Sequence, residues 1–401
     1  ARKGRNIRNN CFIVNSVIHE TCSKSKAKPV NVLILDYSTC FDAMALEITT
    51  NDMFNVGVRD DKLNLLFKSD QKNNVAIKTP SGLTERFEVT DTVSQGDVNA
   101  PLKCTVQIDS ISEEQSARLE GHLYKYKDKV EVPPLGQIDD QLIIANCGLD
   151  SALASAHVNA MTNCKKLQFG KEKCVKLHVG ADKNICPDNL IDTWELKAKN
   201  KVTSILDLED VESEKHCMEN VSSWTYLGDV IQNNGKNDLN IQNRIQRGAG
   251  AKQQVIQMLE DLTLGDFYFE GAMILRSSLF LSSLISNSES WIGLTKKNIS
   301  DLETVDEQLL RKILSAHSKT PKELLYLELG ALPVRFILMS RRINFLWYLI
   351  NDKEGSLLKR FFKAQCDQPI RGDWVSTVKQ DLAELEMNMS FEEMVRISKD
   401  T

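Results

Sequence analysis

Residues 133–147, PPLGQIDDQLIIANC, place two aspartates side by side, Asp139 and Asp140, between Ile138 and the apolar run Leu142-Ile143-Ile144. Acids are depleted in strands, and two like charges on one tight bend repel. The flanking segments read as the two arms of a hairpin, with the acids at its bend. Two readings stay open at this point: an ordinary solvated turn, or a bend whose carboxylates await a cation. A second Asp pair, Asp60-Asp61 in GVRDDKLN, reads as a solvated helix start and shows that the dipeptide alone decides nothing.

A third acid shifts the balance. Residues 31–35, NVLIL, form an apolar run of strand type that ends at Asp36. Ser38 or Thr39 then caps a helix beginning near Cys40, with Asp42 in its first turn. If the two strands lie centrally in one sheet, their ends gather three carboxylates at one edge. Such a cluster of hard oxygen ligands suits Mg²⁺.

The rest of the first half alternates in type. NVAIKTPSGLTERFEV reads as a hairpin about Pro80-Ser81-Gly82, SQGDVNAPLKCTVQIDSISEE as a loop leading into a helix, DSALASAHVNAMTNCKKLQ as a helix and KCVKLHV as a strand. The order of strand, helix, hairpin, helix, hairpin, helix, strand predicts an α+β fold, an antiparallel sheet with helices on one face. Beyond residue 235, Ile241, Ile245, Val255, Ile256 and Leu259 form one helical stripe, and Leu302, Val305, Leu309 and Ile313 another. FILMSRRINFLWYLI, residues 336–350, is apolar almost all round and predicts a buried helix.

Composition bounds the function. At 401 residues with 42% hydrophobic and 26% charged residues, the chain is globular rather than disordered, and a net charge of −5 argues against a simple cationic coat for nucleic acid. Ten scattered cysteines form no CxxC pair, so a zinc ribbon is not expected, and reduced thiols in an intracellular, non-secreted protein, nuclear or cytoplasmic, are. MILRSSLFLSSLIS is interrupted by Arg276 and several serines, so no membrane span is expected.

In their order, these motifs resemble those of reverse transcriptases of non-LTR (LINE-type) retrotransposons. LDYSTCFDAM resembles motif A, SQGDVNAPL motif B, QIDD motif C, FGKEKCVKLHVG motif D and WTYLGDVI motif E. RKGRNIRNN resembles the fingers segment, and ESWIGLTKKNISDLETVDEQLLRKIL the helical region after the thumb. The resemblance spans nearly the whole chain. It implies a right-hand polymerase: a partial, truncated fingers segment over 1–30, a palm with an inserted fingers hairpin over 31–235, a helical thumb over 236–290 and a helical C-terminal region over 291–401.

The resemblance also assigns roles. Asp36, Asp139 and Asp140 would bind two Mg²⁺ ions, or Mn²⁺ in their place. Tyr37 would contribute its backbone beside the triphosphate, Phe41 would be the steric gate against a ribose, and Gln95 and Gly96 would shape the nucleotide and template pocket. Lys173, with Lys171 competing, would neutralise or protonate the departing pyrophosphate. Arg2, Lys3 and Arg5 would grip phosphates. Tyr226, Leu227 and Gly228 would form the primer grip. The implied partners are an RNA template, a DNA primer and dNTPs, and the implied activity is RNA-directed DNA polymerisation. The chain departs from the pattern at Gln137 and Gln141, which flank the acid pair, and at Asp97 after the motif B glycine. These departures set up the alternative expectation of a degenerate, catalytically inactive retroelement fragment that retains nucleic-acid binding. A two-metal nuclease would use the same carboxylates.

Overall fold

The computed structural model describes residues 7–23, 28–38, 40–71, 73–89, 98–146, 149–170, 173–180, 190–194, 213–260, 268–387 and 390–397. The chain is mixed α+β and divides into two compact units that interleave along the sequence. One comprises residues 1–5, 28–125 and 131–221; the other comprises 6–27, 126–130 and 222–401. Among the described residues no helix is long and apolar enough to cross a membrane.

The first unit is built on a five-stranded sheet. Its strands are β1 (Val30–Asp36), β2 (Leu135–Gln137), β3 (Asp140–Asn146), β4 (Val175–Val179) and β5 (Glu219–Val221), in the order β5-β4-β1-β3-β2. All neighbours are antiparallel except β4 and β5. The continuous apolar run of β1 has a direct cause: the strand lies between β3 and β4, and residues 30–35 are buried on both faces. One face presents Leu33, Leu35, Ile143 and Ala145 to helices Ala100–Arg118 and Leu149–Cys164, which supply Cys104, Ile108, Ile111, Ala154 and Val158 to the same cluster. Pro101 sits in the first turn of the longer helix, where its missing N–H costs nothing. His178 of β4 and Asn31 of β1 are partners on this face (Nδ1 to Oδ1, 2.9 Å), and Asn31 donates onward to Ser151 Oγ at 3.0 Å. His178 is therefore spent on the sheet–helix seam, as its strand position predicts.

The hairpin about residues 80–82 is present, with Asn73–Val75 pairing Phe87–Val89 and Lys78–Thr79 pairing Gly82–Leu83. Asp60 and Asp61 open helix Asp60–Asp70 and are exposed, in the dipole-favoured first turn. Leu190–Trp194 and Ser213–Cys217 form a further antiparallel pair.

The second unit is mainly helical. Helix Ile7–Ser23, hairpin Ser223–Tyr226/Asp229–Gln232 and helices including Asp238–Glu260, Lys296–Ile313, Val334–Ile350 and Trp374–Glu384 belong to it. Ile241, Val255, Leu302, Val305, Leu309 and Ile313 are buried in one cluster, so both helical stripes point inward. Helix Lys296–Ile313 starts at a reciprocal cap: Thr295 Oγ1 accepts from the Asn298 N–H, and Asn298 Oδ1 accepts from the Thr295 N–H. Helix Val334–Ile350 is less uniformly buried than its composition predicts. Trp347 is 46% exposed, and the buried Arg342 is held by a two-pronged pair with Asp381.

Arg276, the charge that interrupts the most apolar stretch, follows the same logic. Its Nε and Nη2 donate to the two oxygens of buried Asp306 at 2.8 and 2.7 Å, and Nη2 also reaches the Leu332 carbonyl at 3.0 Å. Removing one partner of a buried pair leaves a desolvated charge behind, a cost of about 3–5 kcal/mol. Arg276→Met is expected to lose about that much stability in urea unfolding; an unchanged midpoint would show that the pair contributes nothing to the second unit.

Candidate active site

The three acids meet at one end of the central sheet through strand register. Asp36, the last residue of β1, pairs directly with Asp140, the first residue of β3. Asp140 in turn pairs with Gln137 of β2. Directly opposite residues share a face, so Gln137, Asp140 and Asp36 form one cross-strand row. Ile138 and Asp139 make the two-residue loop between β2 and β3. Of the two, Ile138 alone has a positive φ, +57°, a first-loop-position geometry ordinarily given to glycine. A β-branched residue there carries a strain of about 1–2 kcal/mol. Packing of the Ile138 side chain against the sheet–helix cluster offsets it.

The Asp36 backbone is clamped from the segment before β4. Gly170 N–H donates to the Asp36 carbonyl at 3.0 Å, and Cys174 Sγ lies 3.4 Å from Asp36 N and 3.5 Å from its carbonyl oxygen. The same segment brings Lys173 Nζ to 3.2 Å from Asp36 Oδ1, in an ion pair with the lysine largely exposed. The segment before β4 thus reaches the end of β1 directly. Lys171 lies outside the described residues.

Electrostatics records how crowded the row is. The Asp140 carboxyl is pushed up from 3.8 to about 6: partial burial is the main cause, repulsion by Asp139 and Asp36 adds to it, and the Lys173 ammonium opposes it. The folded state therefore holds a proton on Asp140 that the unfolded chain has released. This group's contribution to stability falls as pH rises from about 4 to about 6, and above that range the charge is carried at a cost.

The glutamine after the acid pair does not belong to the site. Gln141 is one residue out of phase with Asp140, so its side chain lies on the helix face, fully buried. Its Oε1 accepts from Tyr37 Oη at 2.9 Å, and its Nε2 donates to Ser112 Oγ at 3.1 Å and Gln115 Oε1 at 2.8 Å. The departure from the motif pattern at Gln141 therefore lies on the core side of the strand, because alternation sends its side chain away from the acids. Tyr37 is buried with it, its ring stacked on Phe169 at 5.0 Å, and burial pushes its hydroxyl well above the ordinary range. That leaves the Tyr37 backbone as its contribution at the sheet edge. Phe41, on the short helix Cys40–Ala43, is half-buried and packs on the same cluster, next to Cys40, whose Sγ lies 3.3 Å from Cys104 Sγ.

The other assigned residues fall elsewhere. Arg2, Lys3, Arg5, Gln95, Gly96 and Asp97 lie outside the described residues. Tyr226, Leu227 and Gly228 belong to the second unit, where Leu227 (φ +48°) and Gly228 (φ +89°) form the two-residue loop of the Ser223–Gln232 hairpin.

The donor chemistry of the acids suits a hard divalent cation: the Asp36 and Asp140 carboxylates, beside the Gln137 amide, repel one another in a way that a cation would relieve. The arrangement is not closed around an ion. Among the described residues no three His, Cys, Asp or Glu side chains converge as a ready-made metal site, and one oxygen of Asp36 is engaged by Lys173. An ion drawing on Asp36 Oδ1 would compete with Lys173 for that oxygen.

No protein-family model and no curated protein sequence matches the chain. Among solved structures it is similar to telomerase from Candida albicans in complex with a TWJ fragment of telomeric RNA, at a TM-score of 0.39 and 10% identity over 98% of this chain and 53% of that one. It is also similar to telomerase from Candida tropicalis in complex with a TWJ fragment of telomeric RNA, at 0.39 and 9%, over 89% and 52%. The chain spans about half the length of these structures. Likeness of this size carries no functional argument, which rests instead on the site's own geometry.

The charge balance is open to direct titration. Followed by carboxyl ¹³C NMR, Asp140 is expected to titrate near pH 6 in the free protein. Asp139→Asn, which removes a like charge, lowers that midpoint, and Lys173→Met, which removes the opposing one, raises it. A wild-type midpoint near 4 would contradict the crowding of the three acids.

Proposed function

We propose that this chain is the RNA-directed DNA polymerase domain of a non-LTR retrotransposon, transferring dNTPs onto a primer 3′-OH along an RNA template. The observation that carries the reading is the direct pairing of Asp36 with Asp140, with Asp139 in the adjoining loop. Two carboxylates set opposite each other on neighbouring strands call for positive charge beside them. Motif order along the chain supplies the reaction class.

In this reading Asp36, Asp139 and Asp140 hold two Mg²⁺ ions, or Mn²⁺. Two ions held by these carboxylates would supply Lewis-acid activation of the attacking hydroxyl and charge neutralisation at the leaving pyrophosphate. Lys173, released from Asp36, offers an exposed ammonium whose Nζ–H can protonate or neutralise that leaving group. The Phe41 ring excludes a ribose 2′-OH. Gln95 and Gly96 shape the nucleotide pocket, Arg5 grips phosphate, and the Tyr226-Leu227-Gly228 hairpin grips the primer. Residues 31–235 then act as palm with an inserted fingers hairpin and 236–290 as thumb, with 1–30 in the fingers and 291–401 a helical C-terminal region.

A second reading has its own observation. The Lys173–Asp36 pair already satisfies part of the site's charge, and among the described residues no ready-made three-ligand set exists. Both suit a catalytically silent relative that keeps nucleic-acid binding.

Primer extension on an RNA template separates the two. Wild-type protein with Mg²⁺ is expected to extend the primer. Asp36→Ala and Asp140→Ala each remove several kcal/mol of transition-state stabilisation, a loss on the order of 10³-fold. Extension undiminished in these variants would remove the acids from the reaction. Salt-sensitive RNA binding with no wild-type extension would establish the silent reading instead.

A further inference from the structure

The row of acids has a counterpart on the opposite face of the sheet. Tyr37 directly follows Asp36, Gln141 directly follows Asp140, and their side chains meet: Tyr37 Oη donates to Gln141 Oε1 at 2.9 Å. Both residues are buried, Gln141 completely. The remaining amide donors of Gln141 are used on helix Ala100–Arg118, at Ser112 and Gln115. Acceptor and both donors are thus satisfied inside an otherwise apolar cluster of Leu35, Ile143, Ile111 and Phe169.

An apolar residue at position 141 would fill this space without desolvating an amide and a phenol, so the polar pair asks for a reason. Its location supplies one. Asp36 ends β1 and Asp140 begins β3, so the carboxylates stand where a ladder is least constrained. A one-residue slip there would turn Asp140 into the core and Gln141 out of it. The Tyr37–Gln141 bond opposes that slip from behind, and the Phe169 stack fixes the tyrosine ring.

We propose that Gln141 and the Tyr37 hydroxyl are positioning groups. Their hydrogen bond, anchored on Ser112 and Gln115, locks the β1 and β3 ends in register and so sets the separation at which Asp36 and Asp140 share a divalent ion. The inference rests on the polymerase reading for the ion, but not on any step of the reaction.

The test is Mn²⁺ binding to the full chain by electron paramagnetic resonance, with thermal unfolding measured in parallel. Tyr37→Phe and Gln141→Leu are each expected to weaken Mn²⁺ binding by about 10–100-fold, the usual cost of removing an outer-shell support. The double variant is expected to be no weaker than the worse single, because both changes remove one link. Variants that lose thermal stability but bind Mn²⁺ like wild type would overturn the proposal, as would losses that simply add. If Gln141→Leu fails to fold, Tyr37→Phe, which deletes a single oxygen, decides alone. A wild-type protein that binds no Mn²⁺ while Asp36 and Asp140 are intact would overturn the polymerase reading and this inference with it.

Discussion

Two carboxylates fixed opposite each other on neighbouring strands repel, and a paired strand gives them little room to separate. In this protein the sheet imposes that repulsion on Asp36 and Asp140 through the register of β1 and β3, and the adjoining loop adds Asp139. The consequences run outward from there. Asp140 retains its proton to about pH 6, Lys173 leans in toward Asp36, and the segment before β4 clamps the Asp36 backbone. The proton and the ammonium each compensate in part for charge the fold concentrates, the backbone clamp fixes where that charge sits, and none of them cancels it.

The compensation explains how one site can look both poised and idle. Lys173 is long, exposed and bound by one ion pair, which at a surface contributes ~0–1 kcal/mol. A divalent ion would displace it at little cost. The Tyr37–Gln141 link, by contrast, is buried and fully bonded, so it belongs to the scaffold that holds the acids rather than to the groups that move.

Much of the first unit was legible because its signals are local. The apolar run of residues 31–35 gave a doubly buried strand, and the acid pair gave a hairpin, although its bend is Ile138-Asp139 and Asp140 already opens the strand; the two helices and the strand after them fell where period and turn chemistry placed them. Gln141 was misread because adjacency in sequence was taken for adjacency in space. Strand alternation, visible in the same stretch, sends it to the other face. The Tyr37–Gln141–Ser112–Gln115 network was not legible at all, since its links span 104, 29 and 26 positions. The same holds for helix Ile7–Ser23, whose buried Phe12 packs against Phe345, Phe361 and Trp374 of the second unit. Arg276 and Arg342 stand in apolar runs without any local sign of what holds them; their partners Asp306 and Asp381 lie 30 and 39 residues away.

One arrangement underlies all of this: the acids at the sheet end as a cation site. It is tested most directly by an anomalous difference map from a crystal of the protein soaked in Mn²⁺. A peak bridged by the carboxylates of Asp36 and Asp140, with Lys173 Nζ moved off Asp36, is the predicted result. Well-ordered acids with no peak between them, and Lys173 still paired to Asp36, would contradict it.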